Sequence, residues 1–341
     1  MRNYNIFIFL FFLLFIFGCS RSEQKPIIIA GATFPKPLYE KMFGEYQKET
    51  GIKVNYHSIG SGGGIFKLLT KEVDLGATDI LVSAQEEMDH QTEIIHIPIC
   101  LGAVAITYNL PANPELNFTP EILADIFLGN IKKWNHPNIK ELNPEIIIPN
   151  QRIMLICRSD KSGTSNIFSN FLSQNNDEWR EQVEKNNLLE FIFGFGVTSN
   201  QEVIDKISET TGAIGYVNLN YAVRKNLPVA KIRNNSGKFI KPTVESVSLS
   251  SDMELPEDAE IYLTDTKAED GYPISSFTWI ISHQNLEFQK NSKKAQDLID
   301  LLGWMVDEGQ KFAGSLHYSS LSEEVKVIAE SNIRKIKYKS H

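Results

Sequence analysis

The chain has only three cysteines in 341 residues, too few for a scaffold stapled by disulfides. It has no surplus of positive charge. Lys plus Arg is 34 against 42 Asp plus Glu, a formal net charge of −8, which argues against a dedicated nucleic-acid binder and the basic patch it would carry. There is no internal repeat, no long block of like charge and no low-complexity linker. None of the seven histidines (His57, His90, His96, His136, His283, His317 and His341) stands at a tight metal-ligand spacing, so scattered surface histidines are expected rather than a metal site. Long apolar runs are absent except one, the twelve residues Ile6–Phe17, which is shorter than the roughly 20 needed to span a bilayer. What remains is ordinary globular usage: 42% hydrophobic and 22% charged residues exclude disorder along most of the chain. The length allows about two domains.

The apolar run follows a single cation, Arg2, and has the layout of a secretory leader. It ends in Ile16-Phe17-Gly18-Cys19, which resembles the lipobox of bacterial lipoproteins. That resemblance implies removal of residues 1–18, a diacylglycerol on the Cys19 thiol, N-acylation, and a lipid anchor at the extracytoplasmic face of a membrane. The alternative is a plain signal peptide with an incidental cysteine; the placement of the cysteine favours the lipobox. Residues 19–25 read as a short polar tether. Export permits a disulfide between Cys100 and Cys157, while their apolar, strand-like surroundings suit buried free thiols.

Beyond the tether, strands and helices alternate. Strands are expected at Pro26–Ala30, Lys53–Ile59, Asp74–Thr78, Ile94–Ile99, Ala103–Tyr108, Ile153–Cys157, Ala213–Val217 and Phe277–Ser282. Helices are expected at Pro37–Thr50, with Leu38, Met42, Phe43 and Tyr46 on one face and Gly51 as a stop, and at Ile65–Lys71, Lys293–Val306 and Glu323–Ile336. Thr119-Pro120-Glu121 reads as a helix start, and a further helix runs from Thr164 through Leu172. This alternation argues for α/β layers with largely parallel sheets. Ligands of such folds bind beyond the carboxyl ends of strands. Four strand ends carry polar or glycine residues: Gly31–Phe34, Gly60–Gly64, Asp79 and Arg158–Thr164.

Each of the three loops among them feeds a helix. A helix N-terminus presents unpaired N–H groups and a partial positive charge. Glycine lets the backbone approach a ligand, and the hydroxyls of Ser61, Ser162 and Thr164 can donate. Arg158 adds a cation whose fork matches phosphate or carboxylate, unless it merely pairs with Asp160 at the surface. Together these groups can surround a small tetrahedral anion without a metal. Asp79 discriminates among anions. A carboxylate can only accept hydrogen bonds, so it tolerates an anion that brings a proton. Phosphate keeps a proton near neutral pH and sulfate keeps none, so a buried Asp79 would reject sulfate. Alternatively, Asp79 caps the helix near Ser83 or lies at the surface.

Several segments resemble one family in order along the chain. Gly31-Ala32-Thr33-Phe34-Pro35-Lys36-Pro37-Leu38-Tyr39 is similar to the opening motif of the periplasmic phosphate-binding proteins, the PstS family of ABC-transporter receptors. So are Tyr46–Gly51, Val54-Asn55-Tyr56, Ile59–Gly63, Leu75-Gly76-Ala77-Thr78-Asp79, Ile126–Gly129 with Ile131–Trp134, Arg158-Ser159-Asp160-Lys161-Ser162-Gly163-Thr164-Ser165, Gly212–Val217 and Tyr272-Pro273-Ile274. The resemblance runs from about Ile29 to the last helix. It implies a two-lobed α/β periplasmic-binding-protein fold of type II-like architecture with hinge crossings. Residues 26–103 with 276–341 would form one lobe and 104–275 the other. It implies a high-affinity receptor that passes inorganic phosphate to an ABC permease and its ATPase, with no cofactor and no catalytic residue. Carried over by motif, phosphate would be held by Thr33, Phe34, Ser61, Asp79, Arg158, Ser162, Gly163 and Thr164, with Asp160 orienting Arg158. Gly196-Val197-Thr198-Ser199-Asn200 departs from the Gly-Lys-Gly-Asn wording often found there; it is expected to lie outside the phosphate shell, so only its local shape is affected.

The rival reading is a phosphatase or other phosphoryl-binding enzyme on the same scaffold. Turnover would need a nucleophile, base or metal at the anion, and the hydroxyls of Thr33, Ser61, Ser162 and Thr164 have no evident base. Lys161-Ser162-Gly163 resembles one motif of penicillin-binding proteins, but the Ser-x-x-Lys at Ser22–Lys25 falls on the tether. Trp134, Trp179, Trp279 and Trp304 are expected to be packing residues.

Overall fold

The structure, a computed structural model, describes residues 25–185, 194–289 and 292–338. The leader, Cys19 and His341 lie outside the described residues. Among those described, no helix is long and apolar enough to cross a membrane.

Eleven strands are present among the described residues: β1 (Ile27–Gly31), β2 (Val54–Ser58), β3 (Leu75–Thr78), β4 (Ile94–Tyr108), β5 (Asn117–Phe118), β6 (Met154–Arg158), β7 (Phe195–Val197), β8 (Ala213–Asn218), β9 (Lys231–Arg233), β10 (Phe239–Ile240) and β11 (Ser275–His283). Eight form one sheet in the order β2-β1-β3-β11-β4-β8-β6-β7, and β10-β9-β5 form a small second sheet. At one end β1 pairs in parallel with β2 and β3; at the other β6 pairs in parallel with β7 and β8. The middle is different. β11 runs antiparallel to β3 and β4, and β4 antiparallel to β8. The sheet is therefore mixed, not largely parallel. A parallel pair needs a crossover unit, whereas β11 arrives from the irregular stretch 250–274.

The strand β4 corrects a second expectation. Its fifteen residues, all buried, form one strand where the sequence reads as two. The apparent interruption is Gly102, and its role is to make room: a Cβ there would lie 2.4 Å from the ring of Phe34. Residues Ile94–Ala103 pair with β11 and Val104–Tyr108 pair with β8, so one strand serves both halves of the sheet.

Helices cover the sheet. The helix Lys36–Thr50 begins with Pro at its second position, buries Leu38, Tyr39, Met42, Phe43 and Tyr46, and stops at Gly51, whose φ of 77° suits glycine. Trp134, Trp179 and Trp279 are wholly buried, and Trp304 is partly buried with its indole N–H on Glu49. Cys100 and Cys157 are buried and unpaired with each other. Two histidines are not at the surface as expected. His96 accepts from the Val82 N–H through Nε2 and meets Glu260 through Nδ1, and His283 bridges Thr92 and the Leu68 carbonyl. Their polar atoms are satisfied, which is what burial requires. No group of three His, Cys, Asp or Glu among the described residues could hold a metal.

The helix Ser61–Leu69 lies against β1 and β3 at glycine contacts. A Cβ on Gly64 would sit 2.5 Å from Gly31 Cα, 2.6 Å from the Ala30 oxygen and 2.7 Å from the Ala77 oxygen, all backbone atoms that cannot swing away. Gly44, in the helix Lys36–Thr50, faces open space. Replacing an exposed helical glycine by alanine stabilises by about 1 kcal/mol, while overpacking costs about 1–3 kcal/mol or more. Thermal unfolding should therefore show Gly44→Ala raising Tm and Gly64→Ala lowering it; a raised Tm for Gly64→Ala would contradict this packing.

Candidate functional site

The loop after β1 is held by three tyrosines. The hydroxyl of Tyr56 donates to the Ala32 carbonyl, that of Tyr221 to the Thr33 carbonyl at 2.7 Å, and that of Tyr318 to the Phe34 carbonyl at 2.7 Å. Burial pushes all three phenols well above their ordinary range, so they remain donors. In a trans peptide the carbonyl and the following N–H point opposite ways, and the described residues contain no cis bond. Fixing the carbonyls of Ala32 and Thr33 therefore aims the N–H groups of Thr33 and Phe34 in the other direction. The third carbonyl precedes Pro35, which has no N–H to aim.

Asp79 follows β3 directly and is 1% exposed. It is neither a surface acid nor a cap, because Ser83 caps the next helix itself. Thr278 Oγ1 donates to Asp79 Oδ1 at 2.6 Å, and Ser61 Oγ lies 3.2 Å from Oδ2 while accepting from the Asp79 N–H at 3.1 Å. Thr278 pairs with Cys100 where β4 carries one extra residue, Ile99, a bulge that locally disrupts the ladder beside it. Burial pushes the Asp79 carboxyl up to about 6; the hydroxyls of Thr278 and Ser61 and the charge of Arg158 act against the rise.

From β6 comes Arg158, 3% exposed. Its Nε and Nη2 meet the two carboxylate oxygens of the half-buried Asp160 at 2.6 Å each, so the guanidinium is buried and the fork is not a surface pair. Its Nη1 donates to Thr33 Oγ1 at 3.1 Å. Asp160 fits because Gly60 has no side chain and can hold φ +87°; a Cβ there would lie 2.5 Å from Asp160 Oδ2. Ser162 caps the helix Gly163–Asn175, accepting from the Ser165 N–H at 3.2 Å. Gly163 touches the far wall, where a methyl would come within 2.5 Å of both Asp79 Cβ and Ser61 Oγ. Thr164 is 1% exposed.

The structure thus brings together all eight residues expected at the site, with Asp160 behind Arg158. Sequence reasoning missed five others. Asn200 belongs to the loop expected to stand apart, yet its Nδ2 donates to Thr33 Oγ1 at 2.8 Å and to Thr164 Oγ1 at 3.1 Å. Thr278 left a signal, a lone hydroxyl between Phe277 and Trp279 in an apolar run. Tyr56 lay within the Val54-Asn55-Tyr56 segment without a role being read for it, and Tyr221 and Tyr318 left no signal beyond their aromatic character. A cavity of about 410 Å³ lined by Thr33, Lys36, Ser58, Ser199 and Tyr221 abuts the cluster; two larger hollows, of about 730 and 780 Å³, share no residue with it. Chemically the cluster is a set of donors around one carboxylate acceptor. Among the described residues, the hydrogen-bond partners of its hydroxyls include no histidine.

A PBP superfamily domain model matches residues 20–307. Among curated proteins, the phosphate-binding protein PstS of Pasteurella multocida is 35% identical over 309 residues, covering 89% of this chain and 88% of that protein. The PstS of Haemophilus influenzae is 34% identical, covering 89% and 91%. The PstS of Methanocaldococcus jannaschii is 33% identical over 345 residues, covering 93% and 89%. Solved structures share the fold. The high-affinity periplasmic phosphate-binding protein PfluDING, bound with phosphate, superposes with a TM-score of 0.72 at 18% identity over 90% of this chain and 93% of that one. A phosphate-binding protein from Stenotrophomonas maltophilia gives 0.70 at 16% identity over 90% and 94%. The architecture is accordingly the two-lobed α/β fold of periplasmic binding proteins.

The contact from Thr278 has a measurable consequence. A hydrogen bond to a charged group contributes about 1.5–3 kcal/mol, or roughly one to two pKa units. Thr278→Val should move the Asp79 titration, followed by its carboxyl carbon NMR signal in ligand-free protein, upward from about 6. An unchanged midpoint would show that this hydroxyl does not stabilise the carboxylate.

Proposed function

Since the chain belongs to the PstS family of phosphate-binding proteins within the PBP superfamily, we propose that it is the phosphate receptor of an ABC importer and holds the ion at the cluster around Asp79. The N–H groups of Thr33 and Phe34, the hydroxyls of Thr33, Ser61, Ser162 and Thr164, the N–H groups of Gly163 and Thr164, and the Arg158 guanidinium donate. Asp79 accepts a proton that phosphate carries. The role is binding without turnover.

Residues 26–103 with 276–341 form one lobe and 104–275 the other. This division is supported by the switch of β4 from β11 to β8 between Ala103 and Val104. Several contacts join the two stretches beside the site. The Gly62 N–H donates to the Lys161 carbonyl at 3.0 Å, and Lys161 pairs with Glu86 at 2.8 Å. Arg158 and Tyr221 reach Thr33 from the second stretch to the first. A ligand touching both lobes favours the closed arrangement over an open one. The closed receptor then docks on a permease served by an ATPase. Removal of residues 1–18 and lipidation of Cys19 tether it at the extracytoplasmic face of the membrane.

The observation that carries this reading is one buried carboxylate among donors. Arg158 offsets Asp79 only in part, because its Nε and Nη2 are engaged by Asp160 and burial still holds the Asp79 carboxyl up at about 6. An anion without a proton would place its oxygen against an ionised carboxylate with nothing to share, a loss of both hydrogen bonding and Coulomb energy. Phosphate supplies the missing proton and sulfate does not.

Three expectations test this. Calorimetric titration of the chain from Ser20 onward, in phosphate-scavenged buffer at pH 8, should show one-to-one phosphate binding and no sulfate heat. Below about pH 6 Asp79 takes up a proton itself and becomes a donor, so sulfate binding should emerge as pH falls from 8 to 5. In Asp79→Asn the sulfate affinity should already be present at pH 8, narrowing the selectivity by about tenfold or more, since one misplaced hydrogen bond is worth about 1.4 kcal/mol or more. Sulfate affinity that ignores both pH and the substitution would remove Asp79 from this role.

A further inference from the structure

Asn200 makes no part of the expected donor set, yet it is 1% exposed and sits at the junction of that set. It opens the helix Asn200–Glu209, whose cap is Ser199, accepting from the Glu202 N–H at 3.1 Å. The orientation of its amide is determined by its surroundings. The Asn218 backbone N–H can only donate, and it meets Asn200 Oδ1 at 3.0 Å. The Nδ2 end is therefore turned to Thr33 Oγ1 and Thr164 Oγ1, one N–H for each.

A hydroxyl has two lone pairs and one proton. Thr33 Oγ1 already receives Arg158 Nη1 at 3.1 Å and Asn200 Nδ2 at 2.8 Å, with the Asn200 N–H a further 3.3 Å contact. Its acceptor capacity is filled, and its proton has to be given to something else. Thr164 Oγ1 likewise spends a lone pair on Asn200. We infer that Asn200 is a positioning residue that sets the polarity of the site: by donating to both threonines, it commits their hydroxyl protons to the bound anion. It also ties the residues after β1 to the helix Gly163–Asn175, so the two threonines are ordered only when both stretches are together. The inference rests on the phosphate reading of the cluster and names a determinant of affinity outside the residues that touch the ligand.

The test is a set of phosphate titrations in phosphate-scavenged buffer on the chain from Ser20 onward: wild type, Asn200→Ala, Asn200→Asp, Thr164→Val and the double variant Asn200→Ala with Thr164→Val. Asn200→Ala should weaken phosphate binding about tenfold or more, the worth of one or two ordering hydrogen bonds. Its effect should be reduced at least about threefold in the Thr164→Val background, because part of its action passes through that hydroxyl. Additive losses would mean that Asn200 acts on the backbone alone, and the inference would fail. Should Asn200→Ala not fold, the isosteric Asn200→Asp decides. It keeps the acceptor for the Asn218 N–H but offers the threonines a carboxylate oxygen, which takes their protons away from the anion, so its binding should be weaker still. Asn200→Asp binding phosphate as tightly as wild type would overturn the inference. Wild-type protein that binds no phosphate would instead overturn the functional reading, a result distinguishable from either variant outcome.

Discussion

An ionised carboxylate taken out of water has to be met by donors, and the burial of Asp79 organises much of this molecule. Thr278 supplies one donor from β11, opposite a bulge in β4, and Ser61 supplies another from the start of a helix. Ser61 can approach only because its helix rides on glycine contacts against β1 and β3. Gly163 closes the remaining side with no side chain at all. Even so, burial outweighs these partners and holds the carboxyl near 6. That residual deficit is the chemical property the proposed function uses. A group short of a proton, at a site otherwise made of donors, is complemented by a ligand carrying one.

Arg158 contributes less as a charge than its position suggests. Its bidentate pairing with Asp160 leaves that pair neutral overall, and Asp79 adds a negative charge when ionised. In the proposed function, attraction for the anion therefore comes from oriented dipoles: the N–H groups of the first loop and of the helix at Gly163, and hydroxyls whose lone pairs are already engaged. Such dipoles act only if they are held before the ligand arrives. The three tyrosines on consecutive carbonyls, the Asp160 fork and Asn200 each perform that holding. None of them need touch the ion.

The loops were readable from the chain because their chemistry is local. Glycine beside serine or threonine at the end of an apolar run marks a backbone that must come close to something, and the segments around Thr33, Ser61 and Ser162 all carry that mark. The positioning residues are not local. Tyr318 reaches Phe34 and Thr278 reaches Asp79 across most of the chain, and nothing near either residue announces its partner. Asn200 was masked by a loop whose wording departs from the family pattern. In the fold, periodicity identified strands but not their direction, so the antiparallel centre of the sheet was invisible. Gly102 reads as a break because its reason for being glycine, the ring of Phe34, lies in another segment. His96 and His283 look like surface residues until the partners that satisfy them are brought in by the fold.

The central claim is that a phosphate ion is held at Asp79 by a proton of its own. A crystal structure of the protein grown with phosphate, at a resolution that places oxygen atoms individually, tests it most directly. The account predicts the ion between the loop at Thr33 and the helix at Gly163, with one phosphate oxygen about 2.5–2.7 Å from an Asp79 carboxylate oxygen, the separation of a charge-assisted O–H···O bond. A phosphate seated elsewhere, or one whose nearest oxygen stands beyond hydrogen-bond distance of Asp79, would contradict it.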